Sequence, residues 1–314
     1  VIIMRGKPMC RVVVVGSIHM DFFINVEKLP IPGETVLGRN FTMSPGGKGA
    51  NQAIGVARLG AETFMVGRVG SDIFADKLIE NFRRNNVDTT YILKDPTTHT
   101  GIAFILLDEK GENMIAVAPG ADAKVSKDDV DRAMDIIGKA DILLLQLEIP
   151  VETVVYAAKR AWECGVKVIL NPAPARTLPD EIYKYIYALT PNQIECSMLS
   201  NVEIKSLNDV EKASKKLISK GVKNVIVTLG AKGAYVLTED GEGKVIPAFK
   251  VKVVDTTGAG DAFNAALAVS LAEGLNIEEA IVRANAAAAL AITKIGAQSG
   301  LPSRLELEDF IKKK

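Results

Sequence analysis

The stretch Val253-Val254-Asp255-Thr256-Thr257-Gly258-Ala259-Gly260-Asp261-Ala262-Phe263 joins a β-branched run to residues with strong helix-forming composition. It predicts a strand over residues 251–254, a turn of small residues, and a helix over residues 262–273. A glycine-rich turn before a helix leaves backbone N–H groups without partners, and with the helix dipole these groups make an anion site. The stretch therefore indicates an α/β fold with a functional helix start.

Asp261 lies at the mouth of this predicted anion site. A carboxylate there can accept a proton from a hydroxyl group that attacks a phosphoryl group. It can also be an ordinary N-cap, because aspartate is common at helix starts after glycine-rich turns. This motif alone leaves both interpretations open.

A second glycine-rich motif lies upstream, at Pro45-Gly46-Gly47-Lys48-Gly49-Ala50-Asn51-Gln52-Ala53, and leads into a predicted helix over residues 51–59. Its glycines let the backbone approach a ligand closely. Lys48 and Asn51 are three residues apart, so both can point toward that ligand. The alternative is a flexible turn with a solvated lysine.

Composition limits the class of protein. The 314 residues contain 38 Lys and Arg against 38 Asp and Glu, which gives no indication of a polyanionic partner such as nucleic acid. Two histidines make a histidine-based triad or zinc site unlikely, and three widely spaced cysteines suit a reducing cytoplasm. Residues 1–7 are too short for a signal peptide, and no apolar run reaches membrane-spanning length, so we expect a cytoplasmic protein without membrane contact.

Along the chain, short apolar runs of buried-strand type alternate with helical segments. Such alternation predicts one α/β domain over residues 1–314, with a mostly parallel sheet covered by helices on both faces. The predicted strands are residues 11–15, 63–67, 141–147, 166–170, 187–189 and 224–229, and the further predicted helices are residues 75–85, 153–163, 180–185 and 209–220.

Two segments break this alternation, at about residues 18–46 and 98–120. The first contains short extended runs, and the second is typical of a β-hairpin. Residues 102–107 are apolar on both faces of their strand, so each face needs a cover. We expect a small β-sheet lid that closes over the substrate and packs against the lid of a second copy.

Together, the two glycine-rich motifs resemble the two signatures of the ribokinase-type, or phosphofructokinase-B, carbohydrate kinases. The resemblance covers almost the whole chain and implies a Rossmann-like sheet, a β-lid and a homodimer formed through the lids. Further matching stretches are Val14-Val15-Gly16-Ser17-Ile18, Pro32-Gly33-Glu34-Thr35, Leu145-Gln146-Leu147-Glu148, Asn171-Pro172-Ala173-Pro174-Ala175, Thr190-Pro191-Asn192-Gln193-Ile194-Glu195, Thr228-Leu229-Gly230 and Lys294-Ile295-Gly296-Ala297-Gln298.

The resemblance implies an ATP-dependent sugar kinase, with D-ribose phosphorylated at its 5-hydroxyl as the expected reaction. Asp261 matches the catalytic base. The backbone N–H groups of Gly258, Ala259, Gly260 and Asp261 match the anion hole that stabilises the transferring phosphoryl group. The matching sugar-binding positions are Asp21, His19, Gly47, Lys48, Asn51, Glu148 and Asp261.

The resemblance also implies three cofactors: ATP, Mg²⁺ and an activating K⁺ ion. Glu195 and Asn192 match a motif that places Mg²⁺ through water, although without the family this pair reads as a helix cap. The matching nucleotide-binding positions are Asn192, Thr228, Gly230, Lys232, Gly233, Gly260 and Asn285. The matching potassium positions are Asp255, Thr257, Ala291, Lys294, Gly296 and Gly300, with Ser299 as a substitute for Gly300.

One residue departs from the family pattern. His19 stands where the family has an asparagine that contacts the sugar, so it either donates to ribose or marks a different acceptor. The alternatives are a kinase of nucleosides, with Phe22, Phe23 and Phe41 as a wall for the base, or of fructose or 2-keto-3-deoxygluconate. A catalytically inactive sugar-binding regulator is the alternative from another class.

Overall fold

The computed structural model describes residues 10–313, so the predictions made for residues 1–7 lie outside it. Thirteen strands form two sheets in this part of the chain. In chain order they are β1 (Arg11–Val15), β2 (His19–Val26), β3 (Gly38–Gly46), β4 (Glu62–Gly70), β5 (Val87–Asp95), β6 (Gly101–Leu107), β7 (Asn113–Ala118), β8 (Ile142–Leu145), β9 (Lys167–Leu170), β10 (Ala188–Leu189), β11 (Asn224–Thr228), β12 (Ala234–Thr238) and β13 (Lys244–Ile246).

The α-helices of the described residues flank these strands, and short 3₁₀ helices connect some of them. The α-helices are α1 (Lys48–Arg58), α2 (Ile73–Arg84), α3 (Lys127–Arg132), α4 (Met134–Ile137), α5 (Val151–Glu163), α6 (Gln193–Ser200), α7 (Leu207–Ser219), α8 (Ala259–Ala272), α9 (Ile277–Ala291), α10 (Ala297–Gly300) and α11 (Arg304–Lys312). Predicted helix 180–185 is a 3₁₀ helix, Asp180–Tyr185.

The larger sheet has the strand order β13-β12-β11-β10-β9-β8-β1-β4-β5. From β5 to β11 neighbouring strands are parallel, as predicted, whereas β12 and β13 are antiparallel additions at one edge that the sequence pattern did not reveal. Strand β1 lies between β4 and β8, and its four valines are fully buried. Continuous apolar strands need cover on both faces, and the helices provide it.

Alternate valines of β1 belong to two separate cores. Val12 and Val14 pack in the core that contains α1, α8 and α9. Val13 and Val15 pack in the core that contains α5 and α7. Successive side chains of β1 thus point to opposite faces of the sheet, and both faces receive apolar residues.

The predicted strand over residues 251–254 is wrong. This segment is irregular, about half of the side-chain surface of Val253 and Val254 is exposed, and Val254 N–H donates to the Ile292 carbonyl at the end of α9 at 2.8 Å. The segment pairs with a helix end instead of a strand, so its β-branched residues do not form a strand. The helix begins at Ala259, three residues earlier than predicted.

The second sheet contains four strands in the order β3-β2-β6-β7 and is built from the two segments that broke the alternation. Side chains on β2 alternate between its faces, so Asp21 and Phe23 share one face and Phe22 lies on the other. The Phe22 ring lies 5.9 Å from the Phe41 ring and 5.1 Å from the Phe104 ring. Two of the three aromatic residues considered as a wall for a base therefore lie on the face opposite Asp21.

No helix within residues 10–313 has the length and apolar character needed to span a bilayer.

Candidate active site

The start of α1 is closed by a carboxylate from another part of the chain. Gly47 precedes it with φ of 89°, and a Cβ at Gly47 would lie 2.9 Å from the backbone nitrogen of His19. Lys48 N–H donates to Glu148 Oε2 at 2.9 Å, and Ser17 Oγ donates to the same oxygen at 2.5 Å. Glu148, which follows β8, therefore occupies the place where a free helix start would bind an anion.

The start of α8 is open by comparison. Gly258 adopts φ of 78°, and a Cβ there would lie 2.9 Å from Ala297 Cα, whereas a Cβ at Gly260 would meet nothing within 4 Å. Ala259 N–H, one of the four predicted anion-hole donors, already donates to the Thr256 carbonyl at 3.3 Å. Gly260 and Asp261 lie in the first helical turn, where N–H groups have no partner within the helix.

Asp261 joins the two glycine-rich motifs. Its Oδ2 accepts a hydrogen bond from Asn51 Nδ2 at 2.9 Å, and its Oδ1 accepts one from Gln52 Nε2 at 3.0 Å. Burial raises the pKa of Asp261, while the charge of Lys48 and the two amide donors oppose that rise. A buried carboxylate held from two sides beside a helix start is suited to accept a proton from a bound hydroxyl.

The predicted sugar-binding side chains form one charged cluster. Burial raises the pKa of Asp21 to about 6, with Glu148 adding to the shift and His19 and Lys48 opposing it. Burial lowers the pKa of Lys48, but the nearby carboxylates outweigh this effect, led by Asp261 and Glu148. Asp21 Oδ1 is buried without a hydrogen-bond partner among the described residues. A polyol hydroxyl would satisfy this oxygen, since buried acceptors require donors.

His19 has a partner that the sequence did not reveal. Its Nε2 lies 2.7 Å from Asp122 Oδ2, and Asp122 Oδ1 accepts a hydrogen bond from Ile18 N–H at 2.8 Å. Burial lowers the pKa of His19, but Asp122, with Glu148 and Asp21, raises it to about 9. These carboxylates therefore favour the protonated, positively charged form of His19 beside the predicted sugar-binding side chains.

The predicted nucleotide-binding residues come from several chain segments. Thr228 ends β11, and its N–H donates to the Pro191 carbonyl at 2.9 Å, which brings it beside Asn192. Leu229 N–H donates to the Gly233 carbonyl at 2.8 Å and so closes the turn that contains Gly230 and Lys232.

Asn285, expected near the adenine, has its amide donors bound to protein. Its Nδ2 donates to the carbonyls of Ile246 and Pro247 at 3.0 and 3.1 Å. Any contact with a base would therefore come from elsewhere on this residue.

Asn192 and Glu195 form the helix cap that was the simpler interpretation of their motif. Asn192 Oδ1 accepts from Glu195 N–H, and Glu195 Oε2 accepts from Asn192 N–H, both at 2.8 Å. The cap uses one carboxylate oxygen of Glu195, and the charge of Lys48 acts on this carboxylate. This is compatible with contact to Mg²⁺ through water, since that ion usually keeps several waters.

The residues expected to bind potassium come together from two segments. Asp255 accepts hydrogen bonds from Thr257 N–H at 2.9 Å and from Gly296 N–H at 2.8 Å. A Cβ at Gly300 would lie 2.9 Å from the Ala291 carbonyl oxygen, so glycine permits the close approach of α10 to the end of α9. The side chain of Lys294 is bound to Glu306 at 2.7 Å, which leaves its carbonyl as the group for a cation. The groups that these residues offer to a cation are therefore oxygen atoms, from one carboxylate, one hydroxyl and backbone carbonyls.

Four buried amides around the base lie in the quoted motifs but were assigned no role: Gln52, Gln146, Asn171 and Gln298. Gln146 Nε2 donates to Gln52 Oε1 at 2.7 Å, and Gln52 Nε2 also donates to Asn171 Oδ1 at 3.1 Å. Gln298 Nε2 donates to Asn51 Oδ1 at 3.0 Å. One feature of the sequence could have identified them: each amide residue lies next to apolar residues or glycines. Gln146, directly after the buried strand β8, is an example.

Comparison with known proteins identifies the family of this chain. Residues 9–304 match the model of the pfkB family carbohydrate kinases. The chain is 43% identical to ribokinase from Bacillus subtilis over 96% of this chain and 100% of that protein, and 37% identical to deoxyribokinase from Salmonella typhi over 96% and 98%. The structure of Arabidopsis thaliana ribokinase complexed with ribose and ATP superposes with a TM-score of 0.90 at 34% identity, covering 97% of this chain and 99% of that one. The chain therefore belongs to the pfkB family of carbohydrate kinases.

Proposed function

We propose that this chain is an ATP-dependent kinase that phosphorylates D-ribose at its 5-hydroxyl. The observation that carries the proposal is the Asp261 carboxylate, buried and held by two amides at the open start of α8. The similarity to ribokinases along the full chain supports ribose as the acceptor.

In the proposed reaction Asp261 takes the proton of the 5-hydroxyl as that oxygen attacks the γ-phosphorus of ATP. The bond between the γ-phosphorus and the β,γ-bridging oxygen breaks, and ADP leaves. The N–H groups of Gly258, Gly260 and Asp261 stabilise the negative charge on the transferring group, which is the main task of a protein in phosphoryl transfer. Ala259 N–H already donates to the Thr256 carbonyl, so we expect it to contribute less to stabilising the transferring phosphoryl group.

The sugar would lie between the two helix starts. Asp21 and Glu148 accept hydrogen bonds from its hydroxyls, while Lys48, Asn51 and the Gly47 backbone face it from α1. His19, whose Nε2 lies 2.7 Å from Asp122, is on the same face of β2 as Asp21, and its charge favours the ionised form of that carboxyl group. The remaining groups in the pocket then decide which acceptor fits.

The proposed cofactor sites follow the matching positions. The nucleotide would lie along Asn192, Thr228 and the Gly230–Lys232 turn, with Gly233 closing the turn. Bound Mg²⁺ supplies charge neutralisation of the phosphates, and Glu195 would hold it through water. Bound K⁺ supplies a fixed charge beside the anion hole, held by Asp255, Thr257, Ala291, Lys294, Gly296 and Gly300.

We also propose that the smaller sheet is a lid over the sugar and that two copies associate through it. Side chains on the face opposite Asp21 are exposed by about half, among them Phe104 at 50% and Phe41 at 57%. An apolar patch of this kind on a sheet is typical of a binding surface. Light scattering at micromolar concentration tests the dimer, and a monomer would contradict it.

A cytoplasmic location is part of the proposal. ATP is the phosphate donor, and Cys10, Cys164 and Cys196 are free thiols, as expected in a reducing compartment.

A second candidate is phosphorylation of 2-deoxy-D-ribose. It is favoured by His19 in place of the family asparagine and by the similarity to a deoxyribokinase. A nucleoside acceptor is less well supported, because Phe22 and Phe41 lie on the sheet face opposite Asp21.

An ADP-release assay with ATP, Mg²⁺ and K⁺ tests the function. The panel is ribose, 2-deoxyribose, fructose, 2-keto-3-deoxygluconate, adenosine, inosine and cytidine, with the product of ribose located by NMR. A preference for ribose with phosphate on the 5-oxygen is expected. A preference for another acceptor would contradict ribose as the substrate and would retain the kinase activity. No turnover with any acceptor in the panel would favour a catalytically inactive sugar-binding regulator.

A further inference from the structure

A chain of side-chain hydrogen bonds runs from Arg58 to the base. It crosses from the end of α1 through α2 and α10 and returns to the start of α1 before it reaches α8. The links are Arg58 Nε to Asn85 Oδ1 at 3.0 Å, Asn85 Nδ2 to Asn81 Oδ1 at 3.4 Å, Asn81 Nδ2 to Gln298 Oε1 at 2.8 Å, Gln298 Nε2 to Asn51 Oδ1 at 3.0 Å, and Asn51 Nδ2 to Asp261 Oδ2 at 2.9 Å.

The donor-to-acceptor direction of this series of hydrogen bonds is fixed at both ends. A guanidinium group only donates, and an ionised carboxylate only accepts. Each amide between Arg58 and Asp261 must therefore present its oxygen toward the arginine and its nitrogen toward the base. Which end of a side-chain amide is oxygen and which is nitrogen is assigned from its hydrogen-bond partners. Here the partners at the two ends are consistent with a single assignment for every amide between them.

Gln298 is the link that determines the orientation of Asn51. It is 6% exposed, and Arg58 Nη1 also donates to its carbonyl oxygen at 2.6 Å, which anchors the backbone of α10. If Asn51 turned over, its carbonyl oxygen would face the Asp261 carboxylate, and two acceptors in contact repel each other. The donor group of Gln298 prevents this by occupying Asn51 Oδ1.

The other oxygen of Asp261 is held by a second, neutral arm. Gln52 donates to it and to Asn171 Oδ1, and Gln146 donates to Gln52 Oε1. This arm contains only amides, and Gln146 Oε1 is buried without a hydrogen-bond partner among the described residues. The arm through Gln298 begins at a charged donor, and it is the arm that orients Asn51.

We propose that Gln298 is a positioning residue of the kinase reaction, which holds the Asn51 amide with its donor toward Asp261 and so keeps the base ionised and aimed. The inference rests on the proposed function of Asp261. The charged groups that act on Asp261 are Lys48, which favours its ionised form, and Glu148, which opposes it. Substitution of Gln298 by methionine leaves both in place and adds no charge, so a change in the titration of Asp261 in that variant would come from the amide chain. In Gln298→Glu the new carboxylate also raises the pKa of Asp261 through its own charge.

The test compares Gln298→Glu and Gln298→Met. A carboxylate at this position would attract the amide nitrogen of Asn51 and turn its oxygen toward Asp261, whereas methionine keeps the size and removes the hydrogen bonds. The first readout is the Asp261 carboxyl titration by ¹³C NMR of the ligand-free protein, assigned with Asp261→Asn. We expect the titration midpoint to rise by at least one pH unit in Gln298→Glu and by less in Gln298→Met.

The second readout is the pH profile of kcat. We expect kcat at pH 7 to fall by about 10- to 100-fold in Gln298→Glu, with the acid limb moved to higher pH and partial recovery at pH 9. Ile281→Val, a core truncation in α9 outside the chain of amides, is the control for lost stability. A lower melting temperature with an unchanged Asp261 titration in Gln298→Met would reduce Gln298 to a structural role and overturn the inference, whatever the titration in Gln298→Glu. The NMR titration does not depend on turnover, so it separates this result from a failure of the proposed function.

Discussion

The starts of α1 and α8 look alike in sequence and differ in what the fold supplies to them. Both follow glycine-rich turns whose first glycine has a positive φ, 89° at Gly47 and 78° at Gly258. Glu148 reaches the start of α1 and accepts from Lys48 N–H, so that helix dipole is already paired with a negative charge. No acidic side chain accepts from the first-turn N–H groups of α8 among the hydrogen bonds of the described residues.

The difference divides the chemistry between the two helix starts. A start that is filled by an internal carboxylate cannot take a second anion, but it offers acceptors and amides to neutral hydroxyl groups. A start with free N–H groups can take a phosphoryl group. Asp261 lies at the junction, bound by Asn51 and Gln52 of α1 while it belongs to α8.

Among the substitutions considered, removal of the Asp261 carboxylate between the two helix starts should lower kcat most. We expect Asp261→Asn to lower kcat by about 10²- to 10⁴-fold, because a general base contributes this much to proton transfer. The measurement is single-turnover ADP release at saturating sugar and ATP. Because burial raises the pKa of Asp261, wild-type kcat should fall on acidification at a higher pH than an ordinary aspartate would cause. Activity within threefold of wild type would remove Asp261 from the base role.

A matched pair of glycine substitutions tests the open start of α8. Gly260→Ala meets no protein atom within 4 Å, so we expect normal stability and a loss of kcat of about tenfold or more, as the new methyl group enters the phosphoryl site. Gly258→Ala should instead cost about 1–2 kcal/mol of unfolding free energy, since alanine is strained at φ of 78°. Thermal melts and steady-state assays of both variants check this. Full activity of Gly260→Ala would show that no ligand approaches that position.

The charges beneath the start of α1 should appear in the pH dependence of stability. The pKa of His19 in the folded state, about 9, lies above its ordinary value of 6.5. Its stabilising contribution is therefore complete below pH 6.5 and lost as the pH rises through about 9. Between these values we expect wild type to lose about 1–3 kcal/mol more unfolding free energy than a variant carrying both His19→Asn and Asp122→Asn.

Urea unfolding at pH 6.5, 7.5, 8.5 and 9.5 measures this difference. The double variant keeps an amide pair in place of the ion pair, so the control for lost packing is built in. Parallel stability curves for the two proteins would mean that His19 is neutral in the folded state.

The sequence predicted the parallel core well because buried strands leave a local signal. Runs such as that of β1 are apolar at every position, and the intervening helices have their own periodicity. The run at residues 251–254 has the same β-branched composition, yet it pairs with the end of α9, because composition does not report which neighbour a segment finds. The antiparallel strands β12 and β13 were missed for the same reason.

The sequence indicated the candidate site as two local motifs. It did not indicate the distant residues that contact those motifs in the folded chain. Asp261, Lys48 and Asn51 could be proposed as site residues because glycines mark both helix starts. Asp122 lies 103 residues from His19 in sequence, and Gln298 lies 247 residues from Asn51, so only the folded chain shows that they touch. Contacts of this range depend on topology, and no local pattern carries them.

The most direct test of the division between the two helix starts is calorimetric titration of Glu148→Gln and Gly260→Ala with ribose and, separately, with a non-hydrolysable ATP analogue and Mg²⁺. Glutamine at position 148 can still accept from Lys48 N–H, so the start of α1 stays closed and only the charge is lost. We predict at least tenfold weaker ribose binding with unchanged nucleotide binding in Glu148→Gln, and the reverse in Gly260→Ala. Loss of both ligands in both variants, or of nucleotide in Glu148→Gln alone, would contradict the account.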